Sequence, residues 1–204
     1  SEQVLKLFAG LIAQSIQKES LVAQLREANA ALIAHSYTDA LTGLPNRRAI
    51  FEDLTTLFSL ARHLKRNAII AFIDLDDFKL INDRYGHEAG DQFLIEVGKR
   101  LTEEKQQDDI IGRLGGDEFL VASLSQPHQD GDNAQLTLLK TRLSACIAGE
   151  YWLGSVHIIY PGASFGVIEV DPAATDPDSA LRAADVAMYQ DKKGKSKSRF
   201  LTID

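Results

Sequence analysis

Gly115-Gly116-Asp117-Glu118 stands between two apolar runs, Ile110-Ile111 and Phe119-Leu120-Val121, and no other stretch restricts the fold as strongly. Successive glycines tolerate positive φ in a tight reversal, so the runs read as the strands of a hairpin with two carboxylates at its tip. Gly and Asp are ordinary turn formers, and a polar turn by itself is only a turn. It becomes a place to hold a hard cation against a phosphate when other charged groups converge on it.

The second constraint is Ala68-Ile69-Ile70-Ala71-Phe72-Ile73, a buried strand by length and composition, which ends in Asp74-Leu75-Asp76-Asp77-Phe78-Lys79. Period-two alternation places Asp74 and Asp76 on one face at the strand's end. Unpaired burial of a carboxylate is costly, so these groups face a solvent cleft, a cation or a partner. Asp74 and the Asp117-Glu118 pair lie about forty residues apart, with helices and a strand between them. A sheet fed this way can bring them onto neighbouring strands. Converging carboxylates can hold two Mg²⁺ about 4 Å apart for in-line attack on a phosphate. With Lys79 and Lys192 able to meet a triphosphate, nucleotidyl transfer is the leading reading.

Composition narrows the field. A chain of 204 residues, 45% hydrophobic, suits one domain with an appendage, and its net charge of -7 argues against binding a nucleic-acid polymer. The single cysteine, Cys146, excludes an internal disulfide and suits a reducing, cytoplasmic setting. The longest apolar run, Ala68 to Ile73, is far short of the ~20 residues that cross a bilayer. The chain begins at Ser1 rather than methionine, as a piece of something longer would.

Residues 1–36 read as a long helix with a coiled-coil-like seam through Val4, Phe8, Leu11, Val22, Leu25 and Leu32, where Asn29 can fix the register of a parallel dimer. A helix packed on its own domain is the plainer alternative. The helix stops before Asp39, where Gly43 and Pro45 are turn residues. Amphipathic helices follow at Ala49 to about Arg66, after Asp91, at Ala134 to about Ala148, and at Ser179 to about Asp191. Gly86 to Asp91 reads as a glycine-bracketed polar loop whose Asp91 caps the next helix. Val156 to Val170 holds two strand-like runs broken by Pro161-Gly162, and Phe200 to Ile203 offers a last strand to close the sheet.

These segments resemble one family in order. Gly115-Gly116-Asp117-Glu118-Phe119 is similar to the name-giving motif of the GGDEF domains, the diguanylate cyclases. Asp39 to Arg48 resembles that family's D-x-L-T-G-L-x-N-R-R, Asp74 to Asp83 its D-x-D-x-F-K-x-I-N-D, Gly86 to Asp91 its G-H-x-x-G-D, and Ala184 to Lys192 its A-D-x-A-L-Y-x-A-K. The resemblance covers roughly residues 37–200 and implies an α/β, palm-like, ferredoxin-type domain over 37–204, a mainly antiparallel sheet flanked by helices. It implies a bacterial signalling enzyme that condenses two GTP into cyclic di-GMP and two pyrophosphates, with one GTP on each half of a homodimer. The helix at 1–36 would then serve as a dimerising stalk below an upstream sensor domain. By position, Asp74, Asp117, Glu118 and the Leu75 carbonyl would ligate two Mg²⁺ (or Mn²⁺), with Glu118 assisting the metal or the attacking hydroxyl. Asn82 and Asp91 would read guanine, and Lys79 and Lys192 would bind phosphates above Gly115 and Gly116. A non-catalytic module that binds GTP or cyclic di-GMP is the rival reading. Two departures stand out. Where many members carry R-x-x-D before the turn, this chain has Gln106-Gln107-Asp108-Asp109, which predicts weak or absent product inhibition there. The arginine after the closing glycine is replaced by one of the lysines of residues 192–197.

Overall fold

The structure, a computed structural model, describes residues 17–22, 24, 37–106, 108–126, 134–195 and 201–202. The chain divides into two units at Tyr37/Thr38. Residues 17–22 and 24 are helical; the rest of the expected seam, the loop around Pro127 and Gly131, and residues 196–200 lie outside the described residues.

The second unit is built on β1 (Ala68–Asp74), buried along its whole length. It lies between β3 (Glu118–Leu124) and β6 (Ser164–Val170), with β2 (Ile110–Gly115) outside β3, giving the order β2-β3-β1-β6. All three pairings are antiparallel. Alternation along β1 then divides the core. Ile69, Ala71 and Ile73 pack with Phe93, Leu94, Val97 and Ile147, while Ala68, Ile70 and Phe72 pack with Ile50, Leu54, Phe58, Ala184 and Met188. The first face is covered by α3 (His87–Glu103) and α4 (Ala134–Ile147), the second by α1 (Arg47–Leu64) and α5 (Pro177–Gly194); the short α2 (Phe78–Tyr85) packs against α3. Each large side chain so buried contributes on the order of 2 kcal/mol. The expected mainly antiparallel sheet flanked by helices is the fold observed.

Local signals explain the element ends. Asn46 caps α1, its Oδ1 accepting from Arg48 N at 3.0 Å and Ala49 N at 3.1 Å. Asp176 caps α5 ahead of Pro177, whose missing N–H costs nothing in a first turn.

Three expectations need correcting. Gly86 to Asp91 is not a loop: α3 begins at His87 and runs through Gly90, so Asp91 sits in the second turn and does not cap. Gly86, at φ 87°, makes the whole break between α2 and α3, and the remaining residues are free to be helical. β1 ends at Asp74, and Asp76 lies in the turn beyond it. The last strand, β7 (Leu201–Thr202), does not close the main sheet; it pairs with β5 (Val156–Tyr160) in a second sheet of order β4-β5-β7. The unforeseen member is β4 (Gly149–Leu153), whose Tyr151 and Leu153 join the core while Trp152 faces out.

Candidate active site

Register places the acidic groups. Across β1 and β3, Asp74 pairs with Glu118, and across β1 and β6 it pairs with Ser164. Paired residues of antiparallel strands share a face, so Asp74 and Glu118 both turn toward α1 and α5. Asp117 occupies the reversal between β2 and β3, where Gly115 and Gly116 have φ of 138° and 54°. The backbone ties the turn to the end of β1: Leu75 N donates to Asp117 O at 3.1 Å. The expected approach of Asp74 to Asp117 and Glu118 is therefore present.

The basic groups come from three elements. Lys192, near the end of α5, meets Asp74 Oδ1 at 2.5 Å. Burial pulls its amine down, but the Asp74 carboxylate beside it leaves the net shift upward. Arg47, in the first turn of α1, reaches Glu118 Oε2 at 3.7 Å and donates to Leu114 O at 3.4 Å. Arg113, in β2, is only 9% exposed; its Nε and Nη2 donate to Gly116 O at 3.1 and 2.7 Å. Of the tail lysines, Lys195 engages Asp76, Asp191 and the Ala163 carbonyl.

Burial raises the Asp117 carboxyl above its usual range, and the negative charge of Asp74 raises it further. Glu118 is raised too, by burial first, with Arg47 opposing and Asp117 adding. Two carboxyls held against their preferred ionisation by burial and by like charge form a donor set that a hard divalent cation would relieve. Among the described residues, no group of three His, Cys, Asp or Glu side chains converges on one point; Asp74 is paired with Lys192 instead. The Leu75 carbonyl accepts from Phe78 N at 3.3 Å and keeps a second lone pair.

Asn82 and Asp91 lie on α2 and α3. Asn82 packs directly on Gly90: a Cβ at Gly90 would fall 2.0 Å from Asn82 Oδ1, so only glycine leaves the amide its place. Asp91 follows at once and is exposed, as is Lys79 in the first turn of α2. Asp77, between β1 and α2, holds φ 58°, a conformation that non-glycine residues adopt at a cost.

Sequence reasoning gave no role to Arg47 or Arg113, and read Asp39 only as a turn or cap residue. The signal for Arg113 was present, since a charged side chain inside Ile110-Ile111-Gly112-Arg113-Leu114 must find partners. At the departed R-x-x-D segment a guanidinium does stand near: Arg142 of α4 meets Asp109 Oδ2 at 3.2 Å.

Residues 36–198 match the family described as diguanylate cyclase, GGDEF domain. Diguanylate cyclase DgcP of Escherichia coli is 67% identical over 201 residues, 98% of this chain and 58% of that protein. Diguanylate cyclase TpbB of Pseudomonas aeruginosa is 35% identical over 184 residues, 90% of this chain and 41% of that protein. The chain thus spans less than two thirds of these relatives. Among solved structures, the coiled coil and GGDEF domain of DgcB from Caulobacter crescentus, in complex with c-di-GMP, matches with a TM-score of 0.77 and 25% identity over 92% of this chain and 96% of that one. A sensory box/GGDEF family protein from the same organism matches with a TM-score of 0.71 and 31% identity over 78% of this chain and 99% of that one. No helix among the described residues is long and apolar enough to cross a membrane. A signature turn beside a strand-end carboxylate, in a sheet of this order and over this span of residues, makes the chain a member of the GGDEF family of diguanylate cyclases.

Proposed function

We propose that this chain catalyses the condensation of two GTP into cyclic di-GMP, and that the register pairing of Asp74 with Glu118, with Asp117 at the adjoining turn, carries the reading. The family implies a divalent metal. Asp74, Asp117, Glu118 and the Leu75 carbonyl would hold two Mg²⁺, or Mn²⁺, which when bound supply charge neutralisation and activation of the attacking hydroxyl.

The chain's own groups do the rest. Gly115 and Gly116 leave the turn without side chains, so a triphosphate can lie against the backbone. Lys192 and Lys79 add positive charge, Lys192 exchanging its bond to Asp74 for a phosphate oxygen. Asn82 and Asp91 hold the guanine edge, a carboxylate accepting from N1–H and the exocyclic amine. Each ribose 3′-hydroxyl oxygen bonds to the α-phosphorus of the other GTP as its proton passes to solvent, the bond from that phosphorus to the oxygen bridging it to the β-phosphate breaks, and pyrophosphate leaves with that oxygen. Doing this twice closes the ring, so two domains must face one another. Residues 1–36 serve as the dimerising stalk that raises their effective concentration, below a sensor domain in a cytoplasmic protein.

The deciding experiment is chromatography of products from GTP and Mg²⁺ over a range of protein concentrations. Cyclic di-GMP formed at a rate per protomer that rises with concentration supports a cyclase of two half-sites. GTP binding without product, even in a stalk-crosslinked dimer, establishes the binding-module reading instead.

A further inference from the structure

We propose that Arg113 and Asp39 are positioning residues, a clasp centred on the buried Arg113 through which the loop at residues 38–45 sets where the Gly116–Asp117 turn stands; this rests on the cyclase reading of that turn. Three directions of one guanidinium are committed. Nη1 meets Asp39 Oδ1 at 2.8 Å, while Nε and Nη2 both reach the Gly116 carbonyl. The main chain of the same residue is fastened to the same loop, Arg113 N donating to Pro45 O at 2.9 Å.

The loop is rigid in its own right. Asp39 N donates to Leu44 O at 2.7 Å and Gly43 N to Asp39 O at 2.9 Å. Asp39 Oδ1 also accepts from Thr42 N at 2.9 Å and Thr42 Oγ1 at 2.7 Å. Strand β2 is pressed close at this point, for a Cβ on Gly112 would lie 2.6 Å from Pro45 O. The catalytic turn is thus gripped at two successive carbonyls, Gly116 O by Arg113 and Asp117 O by Leu75 N.

Arg113 touches none of the groups that would react. It acts by holding a carbonyl one residue from a proposed metal ligand, and a planar fork is needed to span carboxylate and carbonyl together. A lysine offers its donors from a single nitrogen and cannot reproduce the fork's separated contacts, Nη1 on the carboxylate with Nε and Nη2 on the carbonyl. Removing Asp39 instead would leave the guanidinium short of its counter-charge while buried. Loop 38–45 directly follows Tyr37, so a displacement of that loop is passed to Asp117 through two side chains.

The test compares Arg113→Lys, Asp39→Asn and the double variant with the whole 204-residue chain. Amide hydrogen exchange at residues 116–118 and the Mg²⁺ dependence of GTP turnover are the readouts, with a melt to confirm folding. The clasp predicts turn exchange faster by about tenfold in Arg113→Lys, with α3 unchanged. It predicts half-saturating Mg²⁺ raised by about tenfold while KM for GTP at saturating Mg²⁺ holds. Asp39→Asn should show the same pattern more weakly, and the double variant should match Arg113→Lys rather than the sum. A folded Arg113→Lys whose turn exchange and Mg²⁺ dependence stay within about twofold of the parent overturns the proposal, as does simple additivity. Should Arg113→Lys lose its cooperative melt, Asp39→Asn decides by the same two readouts. Should the parent make no cyclic di-GMP, the cyclase reading fails, and turn exchange still decides the clasp.

Discussion

The molecule contains two hairpins that differ in one instructive way. The β2–β3 hairpin reverses through Gly115 and Gly116, and the β4–β5 hairpin through Gly154, at φ 65°. Both are antiparallel, and both have their glycine at positive φ. In the first, Arg113 and Arg47 grip the turn from β2 and α1, and Asp74 stands in register with Glu118. In the second, Trp152 lies 70% exposed, stacked on His157 with ring centroids 3.8 Å apart and 2° between planes. A glycine turn is therefore not a site in itself. The first hairpin differs in the charged groups held around its turn, and each prediction below works on that contrast.

The largest effect belongs to Asp117→Asn. Loss of this carboxylate should lower kcat on the order of 10³-fold, the scale of removing one electrostatic group aimed at developing charge. Stability should move the other way. Burial and the Asp74 charge push the Asp117 carboxyl up, so the ionised form is disfavoured by the fold. The native state then binds more protons than the unfolded state between the unfolded value of about 3.9 and the raised folded one, and stability falls as pH rises through that window. Without divalent metal, Asp117→Asn should melt higher than the parent at neutral pH, and the advantage should vanish in acid. Mg²⁺ should stabilise the parent and leave the variant unmoved. A variant that melts lower at every pH breaks the contrast.

Next is Gly90→Ala, which tests the part of the site built on α2 and α3. The added methyl would fall 2.0 Å from Asn82 Oδ1, so the amide must swing away. Losing one guanine hydrogen bond should raise KM for GTP by about tenfold with little change in kcat. The helix itself gains up to about 1 kcal/mol from replacing glycine with alanine, so the melt should not fall. An unchanged KM would remove Asn82 from base recognition.

These two sites were not equally legible in the chain. The hairpin tip, β1 and the terminal Asp74 follow from apolar runs and punctuating glycines, because a seven-residue buried strand has little alternative. The face that Asp74 shares with Glu118 needed only the register. The helical reading of His87 to Asp91 was missed because glycines at both ends mimic a loop, while only Gly86 departs from helical φ. β4 was hidden for a different reason: Gly149–Leu153 is short, an edge strand whose partner β5 follows at once. Arg113 and Asp39 are ordinary letters in isolation, and their pairing across 74 positions is a property of the folded chain.

Asp191→Asn gives a smaller effect of opposite sign to Asp117→Asn. Burial pushes the Asp191 carboxyl up, but Lys140 Nζ at 2.6 Å, Phe165 N at 3.0 Å and Lys195 more than offset it and hold it below the usual range. Its contribution to stability is full above the unfolded value of about 3.9 and is lost as pH falls through the lowered folded value. At neutral pH the variant should lose about 1 kcal/mol, a melting shift of roughly 2–4 °C. The gap between parent and variant should close in acid. A gap constant from pH 7 to pH 3 would mean that the charge on Asp191 contributes nothing.

Trp152→Ala should have the smallest effect and is the control that the comparison of hairpins requires. The ring covers His157, which also lies 3.3 Å from Glu150 Oε2, but it takes no part in the core formed by Tyr151, Phe93 and Tyr160. Phe93 meets both tyrosines edge-on at 4.7 Å, so that core stays closed when Trp152 is cut back. An aromatic pair of this kind is worth about 1 kcal/mol at most when so exposed. Turnover of GTP should stay within about twofold of the parent, and the melt should drop by no more than about 4 °C. A large loss of turnover with an intact melt would mean that the second hairpin also serves the reaction, because Gly154 lies beside the Gln92 side chain and Gln92 follows Asp91. The contrast between a glycine turn that is a site and one that is only a turn would then fail at its second member.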